Sequence, residues 1–164
     1  MRDEGILEQL SRGLFRLAGL PRFSNPDLVR VALRIPNGVV CLISALAFHD
    51  LTTQVPHVIH VALERGAEPP RLEYPPLKIY WFTGTAFSEG IEFHSIDKIS
   101  VKIYSPEKTL ADCFKYRNKL GLDVAMEALK RYRERGKMDL ESLLRSARAC
   151  RVENVMRPYL EALL

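Results

Sequence analysis

The stretch SPEKTLADCFKYRNKLGLD, Ser105 to Asp123, sets a serine three residues ahead of a lysine where an apolar-periodic run begins. This is the S-x-x-K spacing with which some enzymes let a desolvated lysine activate a nucleophilic serine at a helix start. The same letters also spell an ordinary helix N-terminus, with serine at the N-cap and Pro106 at the first helical position. Enzymes of that class carry a further S-D-N and K-T-G. Here Lys108-Thr109 is followed by Leu110, and no S-D-N occurs. The capping reading is therefore favoured. It has the Ser105 hydroxyl accept from a backbone N–H of the first turn, a bond worth about 1 kcal/mol. Asp112 lies four residues past Lys108 and three before Lys115, so it can pair with either along one side of a helix.

Other constellations are weaker. His57-x-x-His60 falls in a β-branched run, where residues three apart point to opposite faces, and His49 and His94 add no recognisable ligand spacing. No metal site is expected. A nuclease-like set can be assembled from Glu92, Asp97, Glu107 and Lys108. Glu107 and Lys108 are adjacent at a helix start, however, not spaced along a strand. A nucleic-acid-processing enzyme is thus the alternative reading and a non-enzyme the leading one. Neither G-x-x-x-x-G-K-[ST] nor G-x-G-x-x-G occurs, and no cofactor is expected. Cys41, Cys113 and Cys150 are odd in number, widely spaced and set among apolar neighbours, which fits buried free thiols in a reducing cytoplasm.

The elements that must position these residues read as follows. ILEQLSRGLFRLAG suggests two short strands around a turn, with Gly13 supplying a positive φ. Pro21 and Asn25-Pro26 mark a linker, and Asn25 with Pro26 then starts a short helix through Leu33. Asn37-Gly38 opens a second, largely buried helix over Val39 to Phe48. HVIHVAL and LKIYWF read as strands separated by a proline-rich loop, and GIEFHSID with KISVKIYS as a hairpin. Four strands would make one antiparallel or mixed sheet. Helices follow over 106–120, 123–135, one capped by Asp139, and 152–163, the last kinked or restarted at Pro158. The expected class is α+β, with a hairpin and linker over 1–22 and a mixed domain over 23–164.

The 164 residues carry a formal net charge of +4. Lys115 to Arg157 holds 12 Lys/Arg against 6 Asp/Glu, a local excess of +6, so the remainder is slightly acidic. A basic C-terminal face of this kind suits a polyanion or an acidic partner, and equally an ordinary solvated helix surface. Arg145, Arg148 and Arg151 step by three and should share one side of a helix, as should Lys115 and Lys119, with Arg117 to the side. Lys130, Arg131, Arg133 and Arg135 crowd a helix C-terminus, where the macrodipole favours cations in any case. MRDEGILEQL lacks an apolar core for a signal peptide, and GVVCLISALAF is too short to span a bilayer. A cytoplasmic chain without membrane contact is expected.

IPNGVVCLISALAFHDLTTQVPHVIHVAL, GIEFHSIDKISVKIYSPEKTLADCFKYRNKLGLDVAMEALK and RACRVENVMRPYLEALL together resemble the AbiEi family, antitoxins of type IV toxin–antitoxin systems in abortive phage infection. The resemblance runs from about Ile35 to Leu164. It implies a winged helix-turn-helix that binds operator DNA, followed by a mixed domain that neutralises a nucleotidyltransferase-like toxin without a stable complex. The hairpin resembles the wing of that winged helix, with Arg12 and Arg16 as phosphate contacts. The recognition helix that should precede it is not found in the sequence, so weak, salt-sensitive DNA binding with little sequence preference is expected of this chain. By matching position the resemblance singles out Lys108, Thr109, Asp112, Lys115, Arg117, Asp123, Arg148, Arg151 and Tyr159. With the stepped cations Lys119 and Arg145 added, Lys108, Asp112, Lys115, Arg117, Arg148 and Arg151 are the candidates for toxin neutralisation or nucleic-acid contact.

Overall fold

The computed structural model describes residues 25–163 and, ahead of them, the backbone of two strands, β1 (Leu7–Ser11) and β2 (Leu14–Leu17). These pair antiparallel, with Leu7 opposite Leu17 and Glu8 opposite Arg16, so the hairpin forms where the sequence places it. Gly13 and Arg12 lie outside the described residues.

α1 (Pro26–Arg34) starts as the sequence predicts. The Asn25 side chain accepts from the N–H groups of Asp27 and Leu28, and Pro26 occupies the first turn, where its missing N–H is no loss. The next stretch departs from expectation. Val39–Val40 is not helical: it is β3, the two-residue centre of a five-stranded sheet. Val39 pairs with Ala62 on one side, and Val40 pairs with Val61 there and with Ile103 on the other. Only after Cys41 does α2 (Leu42–Phe48) begin. The chain swings from strand to helix through Leu42, which is fully buried with φ of 49°, a left-handed conformation costly for a residue with a branched side chain.

The remaining strands are β4 (Ile59–Glu64), β5 (Leu77–Phe82), β6 (Ile91–Ile96) and β7 (Ile99–Tyr104). The sheet order is β5-β4-β3-β7-β6, with β4/β5 and β3/β7 parallel and β3/β4 and β6/β7 antiparallel. A mixed sheet of five strands thus replaces the four expected. The parallel β4/β5 pair requires a long crossover, which the proline-rich stretch 65–76 supplies without regular structure. β6 and β7 turn at Asp97-Lys98, both at positive φ, as the twist of a two-residue hairpin requires.

Strand alternation sorts the core into two layers. Val40, Val61, Leu63, Val101 and Ile103 pack under α1, while Val39, Ala62, Tyr80, Phe82 and Tyr104 face the C-terminal helices. Those helices are α4 (Pro106–Lys115), α5 (Arg117–Leu120), α6 (Leu122–Glu134), α7 (Leu140–Ala149) and α8 (Glu153–Leu163), preceded by the single turn α3 (Thr85–Ser88). The helix expected over 106–120 is broken at Tyr116. Pro158 sits inside α8. α4 is the hub: it contacts α2, α5, α6, α7 and α8. Every residue from Lys108 to Phe114 is buried in consequence. The molecule is α+β, and among the described residues no helix is long and apolar enough to cross a membrane.

Candidate functional site

Burying a whole helix circumference takes its polar residues inside as well, and these must then find partners in the core. Ser105 is the N-cap of α4, and its Oγ accepts from the Lys108 N–H at 3.1 Å. The Lys108 ammonium does not serve that hydroxyl. It donates to both oxygens of Asp112, at 2.9 and 2.7 Å, one turn further along. Lys108 has no exposed surface and Asp112 has 1%. The ammonium also lies 3.8 Å from the Tyr104 ring centroid and 4.8 Å from that of Phe82, so aromatic faces replace part of its lost hydration. Cys150 donates its thiol to Asp112 Oδ1 at 3.2 Å. The S-x-x-K spacing is thus a helix cap joined to an internal ion pair.

This polar knot fixes its neighbours. Burial pushes the Asp112 carboxyl above the ordinary carboxylate value, against the pull of Lys108, and pushes the Cys41, Cys113 and Cys150 thiols up. All three thiols are free, buried and held in the unreactive protonated form. Gly90, at φ of 77°, passes directly over Lys108: a Cβ there would lie 2.5 Å from the Lys108 Cβ. Its carbonyl accepts from the Ser105 N–H at 2.7 Å. Glycine is required by both the dihedral and the space.

The basic candidates separate by environment. Lys108 and Asp112 are inside and offer no surface for toxin or nucleic acid, which corrects their assignment as direct contacts. Thr109, also buried, donates to the Tyr104 carbonyl at 3.4 Å. Arg117 donates to the Phe114 carbonyl at 2.8 Å and so closes the end of α4. Arg145 lies 3.9 Å from Glu89 and 3.7 Å from Glu141, and Arg148 lies 3.5 Å from Glu153. Arg151 does not continue their helix face. α7 ends at Ala149, and Arg151 sits in the following turn at φ of 60°. Lys115 and Lys119 likewise fall on two helices. Lys115, Lys119 and Arg151 are exposed, with no ion-pair partner among the described residues. Lys115 is near enough to Cys150 for its charge to act on that thiol, which sets it close to the turn carrying Arg151. Tyr159 is half-buried, its ring 5.5 Å from that of Phe114.

The nuclease-like set is dispersed. Glu107 accepts from the Tyr132 hydroxyl at 2.6 Å, Lys108 belongs to the knot, and Asp97 is in the β6/β7 turn. Glu92 instead joins a group the sequence spacing did not reveal. His49, just past α2, meets Glu92 and His94 on the edge strand β6. His49 Nε2 donates to the Tyr104 carbonyl at 2.8 Å, and His94 Nε2 donates to Glu92 Oε1 at 2.8 Å. Burial lowers the pKa of His49 despite its carbonyl bond. The only sequence signal was Glu92-x-His94, two residues that share one face of a strand; His49 joins them through the tertiary fold alone. β4 begins only at Ile59, so His57 lies before the strand and is exposed, while His60 is buried with its Nδ1 2.9 Å from the Tyr80 hydroxyl; the H-x-x-H pair is divided.

Compared with known proteins, the chain matches no family model and no curated sequence.

Proposed function

We propose that this protein is an antitoxin of the AbiEi type, which neutralises a nucleotidyltransferase-like toxin, and that the β1/β2 hairpin is the wing of a winged helix through which proteins of this type repress their own operon. The motifs of residues 35–164 support the reading, SPEKTLADCFKYRNKLGLDVA and RVENVMRPYLEAL above all. The observation that carries it to particular residues is the set of exposed cations Lys115, Lys119 and Arg151 near the ends of α4, α5 and α7, which form no ion pair with a carboxylate of the described residues. Unpaired surface cations attract an anionic partner at long range, whether nucleic acid or an acidic protein patch. The partner is therefore met by the helical side of the domain, and the Lys108–Asp112 knot acts only by holding α4 in place.

The test is rescue of cells that express the cognate toxin. Lys115→Glu combined with Arg151→Glu is expected to abolish rescue while the purified variant unfolds at the wild-type temperature. Full rescue by a well-folded double variant would remove this face from the mechanism.

A further inference from the structure

We propose that His49, Glu92 and His94 form a binding site for a divalent transition-metal ion of the zinc class, a site that pins the end of α2 to the edge strand of the sheet. One ligand atom from each residue lies within 4.8 Å of the other two. Two imidazoles and one carboxylate are the donors that zinc takes, at metal–ligand distances of about 2.0–2.2 Å, which separate the donors from one another by about 3.3–3.6 Å in tetrahedral geometry. The 4.8 Å span of the triad is wider than those separations, and the His94–Glu92 pair, which now shares a hydrogen bond of 2.8 Å, is tighter. Adjustments of about an ångström bring the three to those separations. The side chains that must move are able to: His94 is 31% exposed and Glu92 is 40% exposed.

The surroundings favour a metal in three ways. His49 Nε2 is spent on the Tyr104 carbonyl, which places the proton on Nε2 and makes Nδ1 the nitrogen able to ligate. A second nitrogen anchored to a backbone carbonyl is the usual support of a metal-bound histidine. Glu92 supplies one negative charge, and the ring of Phe48, 4.8 Å from that of His94, shields one side. The opposing influence is Arg135, whose charge reaches His49. Three protein ligands leave a fourth position open to water or to a ligand from another molecule.

The experiment uses the whole chain, freed of metal with a chelator and titrated with zinc sulfate against a chromophoric competitor, then with cobalt(II) as a spectroscopic probe. One zinc per chain is expected, with tetrahedral cobalt bands that lack thiolate charge-transfer absorption. His94→Ala and Glu92→Gln should weaken zinc binding at least tenfold. Because His49→Ala also removes the bond to Tyr104, His49→Gln, which can still donate there, serves as its companion. Zinc at a hundredfold excess over Kd should raise the unfolding midpoint by about 5 °C or more in wild type and not in His94→Ala. Three results would each overturn the proposal: no saturable binding, binding unchanged in His94→Ala, or a thiolate-cobalt spectrum placing the metal on the cysteines.

Discussion

The two ends of α4 treat the same kind of charge in opposite ways. Near its start, Lys108 is wholly buried and bound to Asp112; at its last residue, Lys115 is exposed and has no ion partner among the described residues. Both lysines are three or four residues from the same aspartate, and spacing alone allowed either pairing. What decides is the packing around the helix. Residues Lys108 to Phe114 are enclosed by the surrounding helices and by Tyr104 and Phe82 of the sheet, and the last residue, Lys115, reaches solvent. A buried charge costs several kcal/mol in lost hydration and stays only with a close partner, so Asp112 turns inward to Lys108. An exposed charge has no such need and remains available to another molecule.

The largest effect follows from the buried end. Lys108→Met alone, or Asp112→Leu alone, strands one charge in the core and should cost about 3–5 kcal/mol. The double variant removes both charges and should recover most of that loss, since replacing a buried pair by apolar side chains is often close to neutral. Urea unfolding of the four proteins measures the cycle. Single variants that cost less than about 1 kcal/mol would mean that the pair behaves as a surface one, and the contrast between the two ends of α4 would collapse.

A buried but neutral group sharpens the same contrast. Burial, reinforced by Lys78, lowers the pKa of His60 from 6.5 to about 4. The unfolded chain thus takes up a proton near pH 6.5 that the folded chain refuses until about pH 4. The stability associated with neutral His60 is present in full above pH 6.5. It declines as pH falls and is spent near pH 4, a total of about 3 kcal/mol at most. His60→Gln should remove this part of the acid destabilisation, read as the difference between variant and wild-type unfolding free energies at pH 7 and pH 4.5. A difference independent of pH would show that His60 takes up its proton as readily in the fold as in the unfolded chain, and is not held neutral by burial.

The sequence made local features plain because short-range geometry sets them. The caps at Asn25, Ser105 and Asp139, the strand LKIYWF and the β6/β7 hairpin stand where spacing and propensity put them. Val39–Val40 reads as helix in the sequence because two buried valines running into an apolar helix carry no period that separates strand from helix; only their pairing with Val61, Ala62 and Ile103 makes them the sheet's centre. The stepped face of Arg145, Arg148 and Arg151 failed for a related reason: α7 stops before Arg151, and neighbouring acids occupy the other two. The histidine group was illegible because His49 lies more than forty positions from Glu92, and only the sheet edge brings them together. Long-range juxtaposition is what a single sequence does not state.

The smallest effects belong to the exposed end, where two cations a few residues apart should still differ. Arg117 spends its guanidinium on the Phe114 carbonyl, one of the last acceptors of α4, at its C-terminus. Removing it with Arg117→Ala should cost about 0.5–1 kcal/mol. Among the described residues Lys119 reaches toward the Tyr116 ring, 5.9 Å away, and Lys115 has no ion-pair partner. Lys115→Ala and Lys119→Ala should change stability by no more than about 0.5 kcal/mol. If the chain acts as the antitoxin proposed, toxin rescue should rank the three in the reverse order, with Lys115→Ala weakening it most and Arg117→Ala least, and the Lys115 effect should shrink as ionic strength rises. A stability loss at Lys115 as large as that at Arg117 would show that its charge serves the fold, and the exposed end of α4 would then be no freer than the buried one.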